Sequence, residues 1–236
     1  MLSTFLHVLN ISFQDVIAIQ SAFQSVESLY IADGHHRTAA ACQQALAPKP
    51  TRKTAQQPLP SSKYITALVF PDTQLNVLSF NRCLKSLPNI DEQQFLISVA
   101  ERFEIEHLSE TNIREHDEKG SADEIQMYYS GSWYQLTPCE EVQDIDAQIL
   151  VDNLFKPVLN MSYPESEKNM VYVDGRQGRQ GVMNCVDDGK ALVGFYVRRV
   201  QTRMIMQIAD AGKLLPPKAT FFDPKPMPGL LIRLKR

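Results

Sequence analysis

Apolar residues recur at close to helical spacing at Phe13, Val16, Ile17, Phe23 and Val26, which predicts an amphipathic helix. Ser12 stands at its start with Asp15 three residues on, a capping pair. Two apolar runs flank this helix, Phe5 to Ile11 and Leu29 to Ala32, and each reads as a short strand. Strand, helix and strand in that order predict parallel neighbours joined by a right-handed crossover. A second helix follows Arg37 and ends before Pro48. Tyr64 to Phe70 and Leu75 to Phe80 flank Pro71-Asp72-Thr73 as a hairpin. Asp91 to Phe103 gives the clearest helix: Asp91 caps it, Gln94 completes the box, Ile90 staples to Phe95, and Phe95, Leu96, Val99 and Phe103 form its stripe. Ile125 to Tyr129 and Trp133 to Leu136 make a second hairpin around Ser130-Gly131-Ser132. A helix over Asp144 to Phe155 ends at Pro157, strands follow at Met170 to Val173 and Leu192 to Val197, and Gly212 closes a helix over Thr202 to Ala211. Gly229 to Leu234 reads as a last strand.

Two stretches break the pattern. Residues 47–62 hold Pro48, Pro50, Pro58 and Pro60 among Lys, Thr, Gln and Ser, and read as an exposed flexible loop inserted in one unit. Residues 109–124 are charged and aperiodic, a solvated loop. The sum is an α+β fold, a mixed sheet with flanking helices, taken as a single unit over residues 1–236.

Composition narrows the class. At 236 residues the chain can bury a real core, and 44% hydrophobic with 22% charged residues is ordinary for a globular protein. A net charge of −3 argues against nucleic acid as a partner. No apolar run is long enough to span a bilayer, and the N-terminus lacks the basic start and apolar core of a secretory signal. Cys42, Cys83, Cys139 and Cys185 are scattered with no C-x-x-C pair, which reads as reduced thiols in a cytoplasmic protein.

The densest chemistry is Ala32-Asp33-Gly34-His35-His36-Arg37, between an apolar run and Thr38-Ala39-Ala40-Ala41. A strand that breaks at Asp-Gly and turns straight into a helix exposes unpaired N–H groups and the positive end of the helix dipole to anions. Arg37 adds a planar fork of donors, and His35 and His36 donate hydrogen bonds or move protons near neutral pH. The pattern points to phosphate binding, with a nucleotide as the ligand. Asp33 would repel phosphates unless Mg2+ intervened, so it reads as a metal ligand or as a base for an attacking hydroxyl. The plainer alternative has Asp33 as a helix cap and the histidines idle at the surface.

A second cluster runs Leu215-Pro216-Pro217-Lys218-Ala219-Thr220-Phe221-Phe222-Asp223-Pro224-Lys225. Prolines stiffen it and hold Lys218 and Lys225 at fixed points. The bare sequence favours a rigid surface connection with two solvated lysines; the alternative sends one lysine to the phosphate site. Gly175 to Cys185 reads as a loop and a short helix; within it and just before, Asp174 to Gly181 is glycine-rich with Arg176 and Arg179, lacks both G-K-[ST] and G-x-G-x-x-G, and reads as a flexible turn. Asn81-Arg82 says little alone, and His7, His107 and His116 lie in no ligand spacing.

Together, LYIADGHHRTAAA, VLSFNRCLKSL and IADAGKLLPPKATFFDPKPMPGLLI resemble an uncharacterised family of DGHHR-motif proteins related to the ParB/sulfiredoxin fold and to free serine kinases. DEQQFLISVAERFEI and VYVDGRQGRQGV sit where that family has similar segments, so the resemblance covers nearly the whole chain. It implies a phosphate-binding turn in which Gly34, His35, His36 and Arg37 hold nucleotide phosphates. Asp33 and His36 then serve the chemistry, and Lys218 and Lys225 are second-motif contacts. It implies a phosphotransferase using ADP or ATP with Mg2+, free serine being one acceptor. The rivals are a non-catalytic ParB-type nucleotide switch and an inactive truncated member. The family usually has a longer section before the turn, so the chain reads as its C-terminal part or a reduced variant. The serine kinases have an acidic residue upstream of the motif, and only Asp15 and Glu27 are available here. Sulfiredoxin has a Cys in its turn where this chain has His35, which argues against sulfinic acid repair. The turn is expected in a cleft opposite the Lys218–Lys225 segment.

Overall fold

A computed structural model describes residues 12–46, 65–88, 90–109, 125–142, 144–161, 168–223 and 225. The chain divides into two units, Met1–Pro50 and Thr51–Arg236.

The described part of the first unit is helical, with α1 (Phe13–Phe23) and α2 (His35–Leu46). The capping pair forms: Ser12 Oγ accepts from the Asp15 amide at 3.2 Å, and Asp15 Oδ2 accepts from the Ser12 amide at 3.0 Å. Neither helix buries a residue, and Phe13, Ile17 and Phe23 are exposed. The strand expected at Leu29 to Ala32 does not form, and Leu29 and Ile31 are exposed. A strand persists only where a neighbour takes its N–H and C=O groups, and no described residue pairs with this one. Its expected partner, Phe5 to Ile11, lies outside the described residues. So do the 47–62 loop, all but residue 109 of the 109–124 stretch, and the strand expected at Gly229 to Leu234.

The second unit is a six-stranded antiparallel sheet flanked by helices. Its strands are β2 (Asn81–Leu84), β3 (Phe103–Leu108), β4 (Ile125–Tyr129), β5 (Ser132–Pro138), β6 (Met170–Val173) and β7 (Val193–Tyr196), in the order β3-β5-β4-β7-β2-β6. A two-stranded ladder joins β1 (Asn76–Leu78) to β8 (Phe221–Asp223). The helices are α3 (Glu92–Ala100), α4 (Asp146–Leu150), α5 (Gly178–Asp187) and α6 (Thr202–Asp210). Ser130 and Gly131, both at positive φ (49° and 77°), make the two-residue turn that matches strand twist between β4 and β5.

Strand alternation sends side chains to two cores. Leu84, Met127, Leu136 and Phe195 join Phe95 and Val99 of α3 and Ile149 and Leu150 of α4. Cys83, Tyr128, Trp133 and Val173 join Val182 and Cys185 of α5. A smaller cluster of Val77, Val200, Ala219 and Phe222 lies with Met204, Ile205 and Ile208 of α6.

Several expectations change. The hairpin around Pro71-Asp72-Thr73 is absent: Asp72–Gln74 is a 3-10 turn, and β1 pairs with the distant β8. Phe103 opens β3 instead of closing α3, because its strand partner is Pro138 of β5. The helix expected over Asp144 to Phe155 becomes α4 followed by a π-helical turn, Val151–Phe155. The short helix expected within Gly175 to Cys185 forms as α5, but the segment leading into it is the 3-10 turn Gly175–Gln177 and not a flexible turn. A Cβ on Gly175 would lie 2.3 Å from the Ser79 carbonyl oxygen, so close packing requires that glycine. No helix among the described residues is long and apolar enough to cross a membrane.

Candidate functional site

In the first unit no strand precedes the expected turn, and only its second half, a glycine turn into a helix, forms. Gly34 sits at φ +84°, a left-handed conformation that glycine adopts at little cost, and α2 begins at the next residue. The Gly34 amide donates to Asp33 Oδ1 at 2.8 Å, and the Thr38 amide donates to the Gly34 carbonyl at 2.9 Å. The amides of His35, His36 and Arg37 therefore precede the first intrahelical donor, and the first turn carries no acidic side chain. Arg37 folds back over the glycine: a Cβ on Gly34 would lie 3.3 Å from Arg37 Nη2. Asp33, His35, His36 and Arg37 are all exposed. Upstream, the Ser12 hydroxyl and amide hold the Asp15 carboxyl below the usual carboxylate range, so Asp15 is engaged as a cap.

Lys218 and Lys225 belong to the second unit, where β8 brings them to one place. The Phe80 and Phe221 rings meet edge to face at 5.6 Å. Lys218 Nζ lies over Phe80 at 5.5 Å and Lys225 Nζ over Phe221 at 4.8 Å. Lys218 itself sits at φ +55° in a turn closed by the Ala219 amide on the Pro216 carbonyl, 3.2 Å. Glycine or asparagine is usual at such a position, and a lysine there costs about 1–2 kcal/mol. Arg82 supports the turn from inside. It is 2% exposed and donates through Nη1 to the Phe80 carbonyl at 2.8 Å and through Nη2 to the Lys218 carbonyl at 3.3 Å.

Sequence reasoning passed over two members of this cluster. Asn81-Arg82 says little in the sequence, yet Arg82 is the side chain that anchors the lysine turn. Arg176 lies in the stretch that reads as a flexible turn, yet its guanidinium covers the Phe221 ring at 4.8 Å and pairs with Asp174 at 2.6 Å. That hydrogen-bonded guanidinium holds the Asp174 carboxyl below the usual range, with Lys225 acting in the same direction. No local spacing marks these residues, because Phe80 and Phe221 come together only through the β1–β8 ladder.

Among the described residues no group of three or more His, Cys, Asp or Glu side chains is placed to hold a metal ion. A family model described as a protein of unknown function, DUF1015, matches residues 7–160. No curated protein matches the chain. Among solved structures, it is similar to a free serine kinase variant in complex with AMP, at 12% identity over 90% of this chain and 81% of that one, with a TM-score of 0.45. A free serine kinase variant in complex with ADP gives the same identity, shares and TM-score. A conserved hypothetical protein from Pyrococcus furiosus is similar at 11% identity over 89% of this chain and 81% of that one, with a TM-score of 0.42.

Proposed function

The chain belongs to the DUF1015 family, whose function is unknown, and from that premise we propose that it is a nucleotide-dependent small-molecule kinase of the free serine kinase type. The carrying observation is the Asp33–Arg37 turn. A left-handed Gly34 delivers the chain into a helix start that lacks acidic residues, with two imidazoles and a guanidinium exposed around it.

Phosphoryl transfer needs positioning and charge neutralisation more than covalent help. In this reading the amides of His35, His36 and Arg37 hold phosphate oxygens, and the guanidinium laid over Gly34 adds a bidentate contact. His36 donates to the transferring group, and Asp33 takes either Mg2+ or the proton of the acceptor hydroxyl. A nucleotide-bound Mg2+ is held by one or two carboxylates plus phosphate oxygens, so the single carboxylate of this turn fits it. When bound, the ion would neutralise charge on the phosphates.

Calorimetric titration with ADP, ATP and CTP tests the reading. Arg37→Ala should weaken nucleotide binding on the order of tenfold or more; unchanged affinity would refute it. Incubation with labelled ATP and free serine separates a kinase, which forms phosphoserine, from a switch, which binds without turnover. Lys218→Ala and Lys225→Ala report whether the second motif shares the bound nucleotide.

A further inference from the structure

A groove of about 380 Å³ opens in the second unit between Leu75-Asn76-Val77 and the segment Arg199-Val200-Gln201-Thr202-Arg203. Its volume is within the ~300–1,000 Å³ usual for small-molecule sites. Val77 and Val200 are buried and give it an apolar floor, while Asn76, Gln201 and Thr202 supply neutral polar groups. No carboxylate lines it. Arg199 and Arg203 are exposed, and among the described residues neither has an ion-pair partner.

The backbone entering the groove is held by buried polar side chains. Asp146, with its side chain 3% exposed, accepts from the Arg198 amide at 2.7 Å, from Nε at 2.8 Å and from Nη2 at 2.6 Å. Asn81 Oδ1 accepts from the Val197 amide at 3.1 Å, and the Ser79 hydroxyl donates to the Arg198 carbonyl. Asn81 and Ser79 are buried as well. Three buried polar groups thus fix two consecutive residues, which sets the direction in which Arg199 leaves the core. Such a satisfied network rigidifies what it touches, and rigid support is what a binding constellation needs. α6 then starts in the groove, and Gln201 provides no side-chain cap, which adds amide donors to a site already made by the groove and two guanidinium groups.

We propose that this groove binds a small organic phosphate, with the phosphate on Arg199 and Arg203 and the carbon skeleton on Val77 and Val200. Arginine forks match phosphate oxygens in pairs, and the absence of a lining carboxylate removes the competing partner. The site stands on the second unit alone and does not depend on the Asp33–Arg37 turn.

The test is an NMR titration of the full chain with inorganic phosphate and with glycerol 3-phosphate, following backbone amides. Both probes should shift the signals of residues 199–203, the organic phosphate binding more tightly. The double variant Arg199→Gln/Arg203→Gln should bind on the order of tenfold or more weakly, while Arg37→Ala should leave this binding unchanged. Thr202→Glu keeps both arginines and suits a helix start, and it too should abolish binding by repelling the anion. Unshifted signals at 199–203, or equal affinity in a double variant whose urea midpoint matches the parent, would overturn the proposal.

Discussion

Gly194 is the residue that lets α5 lie against the sheet. It occupies the middle of β7, opposite Tyr128 of β4 and Cys83 of β2. A Cβ there would come 2.3 Å from Val182 Cγ1 and 3.2 Å from Cys83 Sγ. Val182 is fully buried and β-branched, so it has no free rotamer to swing into. Overpacking of this kind costs about 1–3 kcal/mol. Against it, alanine in place of a strand glycine recovers about 0.5–1 kcal/mol of chain entropy. A 2.3 Å approach to Val182 belongs in the upper half of the overpacking range, about 2–3 kcal/mol, so the net expectation for Gly194→Ala is a loss of roughly 1–2.5 kcal/mol, or about 2–10 °C in Tm for a unit of this size. Trp133 is the only tryptophan and is 4% exposed in β5, so its fluorescence reports the second unit specifically. Urea melts followed at Trp133 should show a lower midpoint with an unchanged m value. Val182→Ala removes the methyl that collides, so Gly194→Ala should cost at least about 1 kcal/mol less in that background. A midpoint equal to the parent's, or the same cost with and without Val182, would refute the packing argument.

Two further outcomes follow from burial. Cys42 and Cys139 are exposed while Cys83 and Cys185 are buried, and burial with Cys185 alongside pushes the Cys83 thiol well up. A thiol-specific reagent should therefore label Cys42 and Cys139 rapidly in the folded protein, and Cys83 and Cys185 only after denaturation; mass spectrometry of the labelled peptides gives the answer. Burial, with the Glu92 carboxylate nearby, pushes the Tyr129 phenol from its ordinary 10.0 up to about 12. The fold then keeps a proton that the unfolded chain releases, so the stabilisation is complete below pH 10 and is lost as pH rises toward 12. Tyr129→Phe should flatten the alkaline fall of the urea midpoint, and parallel pH profiles would contradict the assignment.

Local sequence is sufficient where the physics is local. The Ser12–Asp15 pair, the Asp91 cap and the Ser130-Gly131 turn depend on neighbours within a few residues, and each forms. The bounds of Met170–Val173 follow from a short apolar run with two valines and a tyrosine, ended by Asp174-Gly175. The turn at Asp33 is legible for the same reason, since Gly34 determines its own φ and α2 follows at once.

What sequence alone determined, then, is the α+β class, most of the helices and the concentration of imidazole and guanidinium groups in one turn. Tertiary structure decided the pairing. β1 finds β8 across more than a hundred residues of chain, and only that ladder sets Phe80 against Phe221 with Lys218, Lys225 and Arg176 around them. Arg82 shows the same division: nothing in Asn81-Arg82 announces a buried guanidinium, because besides the nearby Phe80 carbonyl its acceptors lie in the Pro217–Lys218 turn far along the chain. Periodicity records which side of an element is apolar; which distant element covers that side depends on the whole chain's packing, and no local window contains it.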